Sequence, residues 1–274
     1  MSAFDFMTNI AAILAIMALI SAIELIVPLF PRPAASRGRT TANFGLTATA
    51  FLINWAFTSA AAVLTVAQGP GLMARMGVPA PVQFLVGVVA LDFFFGYLAH
   101  VAMHHIPPLW RVHAVHHSDP FVDVTTTYRT HPVESIWRSL FMLPPVWLLG
   151  IPPSALVVYK LLSAINGLLE HANLRVWPRV DRLLSLVWVT PNMHKIHHSR
   201  ERDETNSNYG NLFSVPDRLF RTFTDTRRAS SIVYGLDGVD PHAVTSLPDL
   251  LTLHVHAAAK PNDAAEMRAV GDQS

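Results

Sequence analysis

Cysteine is absent from all 274 residues. That removes disulfide frameworks, iron–sulfur clusters, thiolate zinc sites and cysteine nucleophiles in one step. Charge is scarce as well: Asp, Glu, Lys and Arg make up 14% of the chain, against about 25% in an ordinary soluble domain. With hydrophobic residues at 51%, a soluble globule fits poorly. So does a disordered chain, which needs low hydrophobicity and high net charge. The formal net charge is +1, so no basic surface suited to nucleic acid is expected. What the chain does have is long apolar runs and 14 histidines.

Ile10–Phe30 carries one charge, Glu24. Its length as a helix, about 31 Å, matches a hydrocarbon core of about 30 Å. Its acidic start at Asp5 and its length argue for an uncleaved span rather than a signal peptide. Phe44–Ala67 is an uncharged second span, and Val82–Met103 a third that encloses Asp92 and His100. Ser139–Gly150 and Ile151–Leu169, split by Pro152 and Pro153, read as a helical hairpin that either crosses at a tilt or re-enters. Basic residues orient these spans. Arg32, Arg37 and Arg39 lie between the first two and only Arg75 between the next. The first loop and everything from Leu174 onward, with Arg175, Arg179, Arg182, Lys195, Arg200 and Arg202, are therefore expected in the cytoplasm. From Thr224 the chain turns polar, and residues 259–274 read as a frayed tail.

Nine of the histidines fall within residues 100–117 and 194–198, where uniform scatter would place roughly one. The boxes are His100-x₃-His104, His113-x₂-His116-His117 and His194-x₂-His197-His198. Positions i, i+3 and i+4 share one side of a helix, so each box presents its imidazoles together, and His105 points elsewhere. Steps of four back from His104 reach His100, Gly96 and Asp92. Asp92 is thus expected to accept an imidazole N–H and orient a ligand. Burying eight imidazoles unpaired is costly, and they cannot all be protonated at close quarters. A metal resolves both difficulties. Imidazole suits Zn, Cu, Fe and Ni; one zinc takes about three or four ligands, so eight or nine imply two ions. The chain has no HExxH motif, so a zinc protease lacks its base. Two irons are the preferred assignment.

Taken together, H-x₃-H, Trp110-x₂-His-x₂-His-His-Ser118, Arg129-x-His131-Pro-x-Glu134 and Asn192-x-His-x₂-His-His-Ser199 resemble the fatty acid hydroxylase superfamily. That group includes membrane sterol desaturases, sterol methyl oxidases and ether-cleaving alkylglycerol monooxygenases. The resemblance spans roughly residues 80–223 and takes in Asn208-Tyr209-Gly210-Asn211 and Asp217-Arg218-Leu219-Phe220. Two positions depart: Val101 stands where arginine is frequent, and Arg221 where glycine is. The resemblance implies as iron ligands His100, His104, His113, His116, His117, His194, His197 and His198, with His171 as a ninth. Asp92, His131, Glu134 and Asn192 are expected to support them, and His242, His254 and His256 to lie on the surface.

The expected fold is all-α: an integral membrane helical bundle with a cytoplasmic, histidine-rich, helical di-metal site. Residues 1–80 supply N-terminal membrane helices, 81–223 the catalytic unit and 224–274 a polar, partly disordered C-terminal region. The expected activity is O₂-dependent oxidation of a lipid C–H bond, fatty acyl, sterol-like or carotenoid, to an alcohol or alkene, at two non-haem irons. Substrate would approach along Phe93-Phe94-Phe95. With no fused cytochrome-type domain expected, the resemblance implies a separate electron donor of ferredoxin or cytochrome type, with its reductase. It would dock on Lys195, Arg200, Arg202, Arg218 and Arg221. A bacterial inner membrane is the expected location. A zinc-dependent membrane hydrolase using Glu134 or Glu170 as base, and a metal-handling membrane protein, remain as alternatives.

Overall fold

The computed structural model describes residues 3–33, 37–67 and 69–256. Its elements are helical, and no strand occurs among the described residues. Two long helices come first, α1 (Ala3–Ile26) and α2 (Arg37–Ala67), then a short α3 (Leu72–Arg75). The third long rod is continuous but not uniform: α4 (Ala80–Leu91) passes through a π-helical stretch, Asp92–Leu98, into α5 (Ala99–His105). Helices α6 (Pro107–His117) and α7 (Pro132–Pro145) follow, and α8 (Pro153–His171) completes a hairpin with α7. The remainder is a set of short helices, α9 (Pro178–Leu184), α10 (Pro191–His197), α11 (Arg202–Thr205) and α12 (Val215–Leu219), closed by α13 (Leu247–His256). Proline stands in the first turn of α4, α6, α7, α8, α9, α10 and α12. There its missing N–H costs nothing and its fixed φ starts the helix.

Three stretches are long and apolar enough to cross a membrane: Met7–Ile26, Gly38–Arg75 and Ala80–His105. The boundaries differ from the hydropathy reading at both ends of the first loop. Helix α1 stops at Ile26, and Pro28 instead pairs with Leu174. Helix α2 begins at Arg37, so Arg39 is helical and buried, in ion pairs with Asp119 (3.0 Å) and Asp123. Arg39 and the buried Lys195, both counted toward orientation, are thus internal partners rather than free loop charges.

The hairpin begins seven residues earlier than its apolar run, at Pro132. Pro144 and Pro145 sit inside α7. Their absent N–H groups break its hydrogen-bond ladder, and a π-turn, Val146–Gly150, follows. At the tip Gly150 (φ +69°) meets Gly71 so closely that a Cβ on Gly71 would lie 2.3 Å from the Gly150 Cα. Gly71 lies between α2 and α4, so the hairpin reaches the end of the bundle opposite the histidines.

Polar staples fasten the histidine end. The Glu24 carboxylate accepts from the backbone N–H groups of Val124 (2.9 Å) and Asn173 (2.8 Å) and faces Arg32 at 3.5 Å. A single acid of α1 thereby holds the segments after α6 and after α8. Arg129, fully buried, donates to the Val115 and Val244 carbonyls, Asn43 Oδ1 and Ser118 Oγ.

The region after Thr224 is more structured than its polarity suggests. Helix α13 packs Leu250 and Leu253 into a cluster with Leu46, Trp110 and Val115. Residues 257–274, which include most of the expected frayed tail's neighbourhood and all of that tail, lie outside the described residues, as do the side chains of His242, His254 and His256. Arg221, where the resemblance leads one to expect glycine, has φ +60° and is exposed. A side chain in that left-handed conformation costs roughly 1–2 kcal/mol, partly offset by glycine's greater freedom when unfolded. Arg221→Gly is therefore expected to raise stability by up to about 1 kcal/mol, read as a higher melting temperature in detergent.

Candidate metal centre

Nine histidines, His100, His104, His113, His116, His117, His171, His194, His197 and His198, are buried and converge at one end of the bundle. They form two groups. Five, His100, His104, His113, His117 and His197, offer nitrogens within 4.8 Å of one another, and so do the other four, His116, His171, His194 and His198. The H-x₂-H-H boxes are split between them. In α6, His113 and His117 serve the first group and His116 the second; in α10, His194 and His198 serve the second and His197 the first. The arc of 100° spanned by i, i+3 and i+4 is wide enough to face two centres at once, which the reading of each box as single-sided overlooks.

Hydrogen bonding shows what these nitrogens present. His171 Nδ1 donates to the Gly167 carbonyl (2.7 Å), His100 Nδ1 to Tyr209 O (2.9 Å) and His197 Nδ1 to Ser207 O (2.7 Å). Each bond fixes the tautomer and leaves Nε2 as a bare lone pair. Those lone pairs face other nitrogens. His171 Nε2 is 2.9 Å from His194 Nε2 and 3.3 Å from His198 Nε2, which are themselves 3.1 Å apart. His100 Nε2 lies 3.1 Å from His113 Nε2, whose Nδ1 is 3.0 Å from Glu134 Oε1. Neutral imidazoles in a triangle cannot all donate to one another, and protonating them is opposed: burial first, then neighbouring imidazoles, hold His116, His194 and His198 well below the usual histidine range. His117 is lowered in the same way, and its buried Nε2 has no hydrogen-bond partner. Converging lone pairs on neutral rings are what a cation requires. An all-nitrogen set without thiolate suits iron, copper, zinc or nickel.

The supporting residues sort unevenly. Glu134 reaches His113 and is itself buried, its carboxyl pushed up to about 8 by burial. Asp92 does not accept from an imidazole. Its oxygens take the backbone N–H groups of Leu212 and Phe213, both at 3.0 Å, and the Asn211 amide. It acts one step away, because the segment it ties down carries the Tyr209 carbonyl that orients His100. The reading along one helix had no view of donors 120 residues later. His131 caps α7 by accepting from Val133 N–H (3.2 Å) and belongs to neither group. Asn192 lines a separate cleft beside Asp181 and Arg227 and has no hydrogen bond to a histidine among the described residues. His105 is exposed and donates to Val101 O. Lys195 cannot serve a docking patch: it is fully buried and donates to the Ala172 carbonyl at 2.7 Å.

Residues not singled out as site members also shape the centre. Tyr209 and Trp110 wall the five-histidine group, each ring 5.1 Å from that of His104. Glu170, considered from sequence only as a base for the hydrolase alternative, has Oε1 4.0 Å from His194 Nε2. Replacing Glu134 by glutamine should weaken metal binding at the five-histidine group about ten- to a hundredfold, measured by chelator competition, and leave the other group's affinity in place.

From the histidines a cavity of about 220 Å³ extends into the membrane-spanning part of the bundle. His100, His116, His171 and His194 form its inner end, and α1, α2, α7 and α8 its walls. Of the three expected phenylalanines only Phe95 lines it; Phe93 stacks on Phe220 and Phe94 packs against Phe93. No other cluster of metal-ligating side chains occurs among the described residues, so the histidines do not continue along the spans as an ion path would.

Comparison with known proteins gives a consistent picture. The family model described as fatty acid hydroxylase matches residues 84–222. An ornithine lipid hydroxylase, OlsE, of Rhizobium tropici is 35% identical over 162 residues, covering 58% of this chain and 47% of that protein. Alkylglycerol monooxygenase of Caenorhabditis elegans is 31% identical over 147 residues (53% and 28%), and the human enzyme of that name 29% over 150 residues (54% and 32%). The chain thus matches about half or less of the length of these curated relatives. No solved structure matches significantly.

Proposed function

Since this chain belongs to the fatty acid hydroxylase family, we propose that it is a membrane di-iron oxygenase that hydroxylates or desaturates a lipid C–H bond. The observation that carries the reading is that both histidine groups open onto one cavity leading into the membrane-spanning bundle. Two irons, one per group, would supply the O₂-dependent oxidation of an unactivated C–H bond. The five-histidine group would hold one and the four-histidine group the other. The carbonyls of Tyr209, Ser207 and Gly167 and the Glu134 carboxylate keep the ligating nitrogens aimed inward. Ile10, Ile13, Phe51 and Leu161 on the cavity wall exclude water and fit an alkyl chain.

Hydroxylation consumes one O₂, two electrons and two protons, and releases one water with the alcohol. The electrons would come from a separate ferredoxin- or cytochrome-type donor and its reductase. Arg200, Arg202, Arg218 and Arg221 remain as its docking residues. The positive-inside arginines favour placing the histidine end in the cytoplasm, at the inner membrane of a bacterium. Residues 81–223 form the catalytic unit in this reading, and residues 1–80 contribute cavity wall through α1 and α2.

The test is metal content of detergent-purified protein, followed by reduction with a ferredoxin and its reductase in the presence of membrane lipid and O₂. About two irons per chain and a lipid product heavier by one oxygen, or lighter by two hydrogens, are expected. Stoichiometric zinc after iron-replete expression, with lipid turnover independent of O₂, would overturn the reading and favour a hydrolase with Glu170 as base.

A further inference from the structure

Two cations occupy the cavity wall without an acidic partner. Lys160 of α8 and Arg138 of α7 both line the cavity and converge on the Phe95 ring, with Lys160 Nζ 3.9 Å and Arg138 Cζ 5.4 Å from its centre. Lys160 also donates to Asn54 Oδ1 at 2.7 Å, an amide that brings no charge. Among the described residues no carboxylate forms an ion pair with either cation. The acids that feel the field of Arg138 are Glu134, Glu170 and Asp92. They are committed elsewhere, Glu134 facing His113, Glu170 accepting from the Asn166 amide and Asp92 accepting from Leu212, Phe213 and Asn211. Cations inside a bilayer-spanning bundle are costly, face a cavity or one another, and mark the path of a ligand. A ring face attracts both but neutralises neither. The pair is also placed toward the chemistry: Arg138 is one turn beyond Glu134, about 6 Å along α7, and Phe95 stands in the rod that carries His100.

We propose that Arg138 and Lys160 anchor an acidic group, a carboxylate or phosphate, on the lipid that enters this cavity, so that the substrate is an acidic amphiphile held by its oxyanion. The inference rests on the reading that the cavity holds the substrate. Arginine offers a planar fork and lysine a point charge, a combination that binds an oxyanion from two sides. The acidic group then sets which carbon of the chain reaches the histidines.

Trp55 lines the same cavity, so binding can be read without turnover. Purified full-length protein in an uncharged detergent is titrated with 9,10-dibromostearate, with the corresponding dibromostearoyl lysophosphatidate and with 9,10-dibromostearyl alcohol. Quenching absent in Trp55→Phe reports occupancy of the cavity. At least one acidic probe should bind ten times or more tighter than the alcohol, and which one does identifies the headgroup. The ratio should fall to within twofold in Arg138→Gln/Lys160→Gln and persist in Lys160→Arg. Equal binding of acids and alcohol by the parent protein overturns the proposal, whatever the variants do; so does a preference that survives in a folded double glutamine variant with parental metal content. The assay consumes neither O₂ nor electrons. Acid preference in a zinc-loaded protein without oxidation would remove the oxygenase reading and leave the anchor standing. O₂-dependent turnover without acid preference would remove the anchor alone.

Discussion

The double variant His171→Ala/His194→Ala is expected to retain about one iron per chain in place of about two, and to lose lipid oxidation by about a thousandfold or more. Both residues belong to the four-histidine group, which would keep only His116 and His198. Two imidazoles are too few to hold an ion against chelators, while the five-histidine group is untouched. Neighbours in the sequence should give different answers. His116→Ala removes a ligand from the four-member group, whereas His117→Ala leaves four ligands in the other. Iron content and Mössbauer spectra would separate the two. If His171→Ala/His194→Ala loses both ions together, or neither, the division into two centres is wrong.

Arg129→Lys should have the opposite signature: loss of both ions from a destabilised chain. The Arg129 guanidinium is fully buried and feeds four acceptors, of which Val115 O and Ser118 Oγ flank the His116-His117 pair. Lysine keeps the charge but cannot reproduce the planar fork, so Asn43 Oδ1 and the Val244 carbonyl lose donors in a buried setting. Breaking one side of such a network costs about 3–5 kcal/mol. Helix α6 supplies histidines to both groups, so its displacement is expected to empty both. The measurements are thermal stability and iron content of the variant. A stable Arg129→Lys protein with full metal would show that α6 is held by its apolar cluster with α13 alone.

The all-helical character and the approximate spans were legible because apolar runs of about twenty residues have few other uses. The meeting of the histidines was legible because i, i+3, i+4 spacing is a local property of a helix. What stayed hidden depends on contacts between distant segments. Asp92 looked like a partner for His100 along its own helix, yet its oxygens were claimed by Leu212 and Phe213. Lys195 and Arg39 counted as surface charge because hydropathy carries no information on pairing. Glu24 looked like a lone flaw in a membrane span, while its partners, Val124 and Asn173, are backbone amides that no side-chain pattern reveals. The start of α7 at Pro132 was missed because its first turn is polar, and that turn carries Glu134. The splitting of the boxes needed the positions of α8 and of the turn after α11, neither of which is encoded within a box.

The adjacency of His116 to His117 and of His197 to His198 has a further result. In each pair one residue serves one centre and its neighbour the other, so a single peptide unit, with its 3.8 Å Cα spacing, acts twice as a ruler between them. The separation is inherited from covalent geometry rather than from long side chains or a domain interface. Part of the cavity wall, by contrast, comes from α1 and α2, which contribute none of the nine histidines. Substitutions there can reshape the cavity without altering how far apart the two histidine groups stand. The outline of the cavity can thus vary through α1 and α2 while the spacing of the two histidine groups stays fixed.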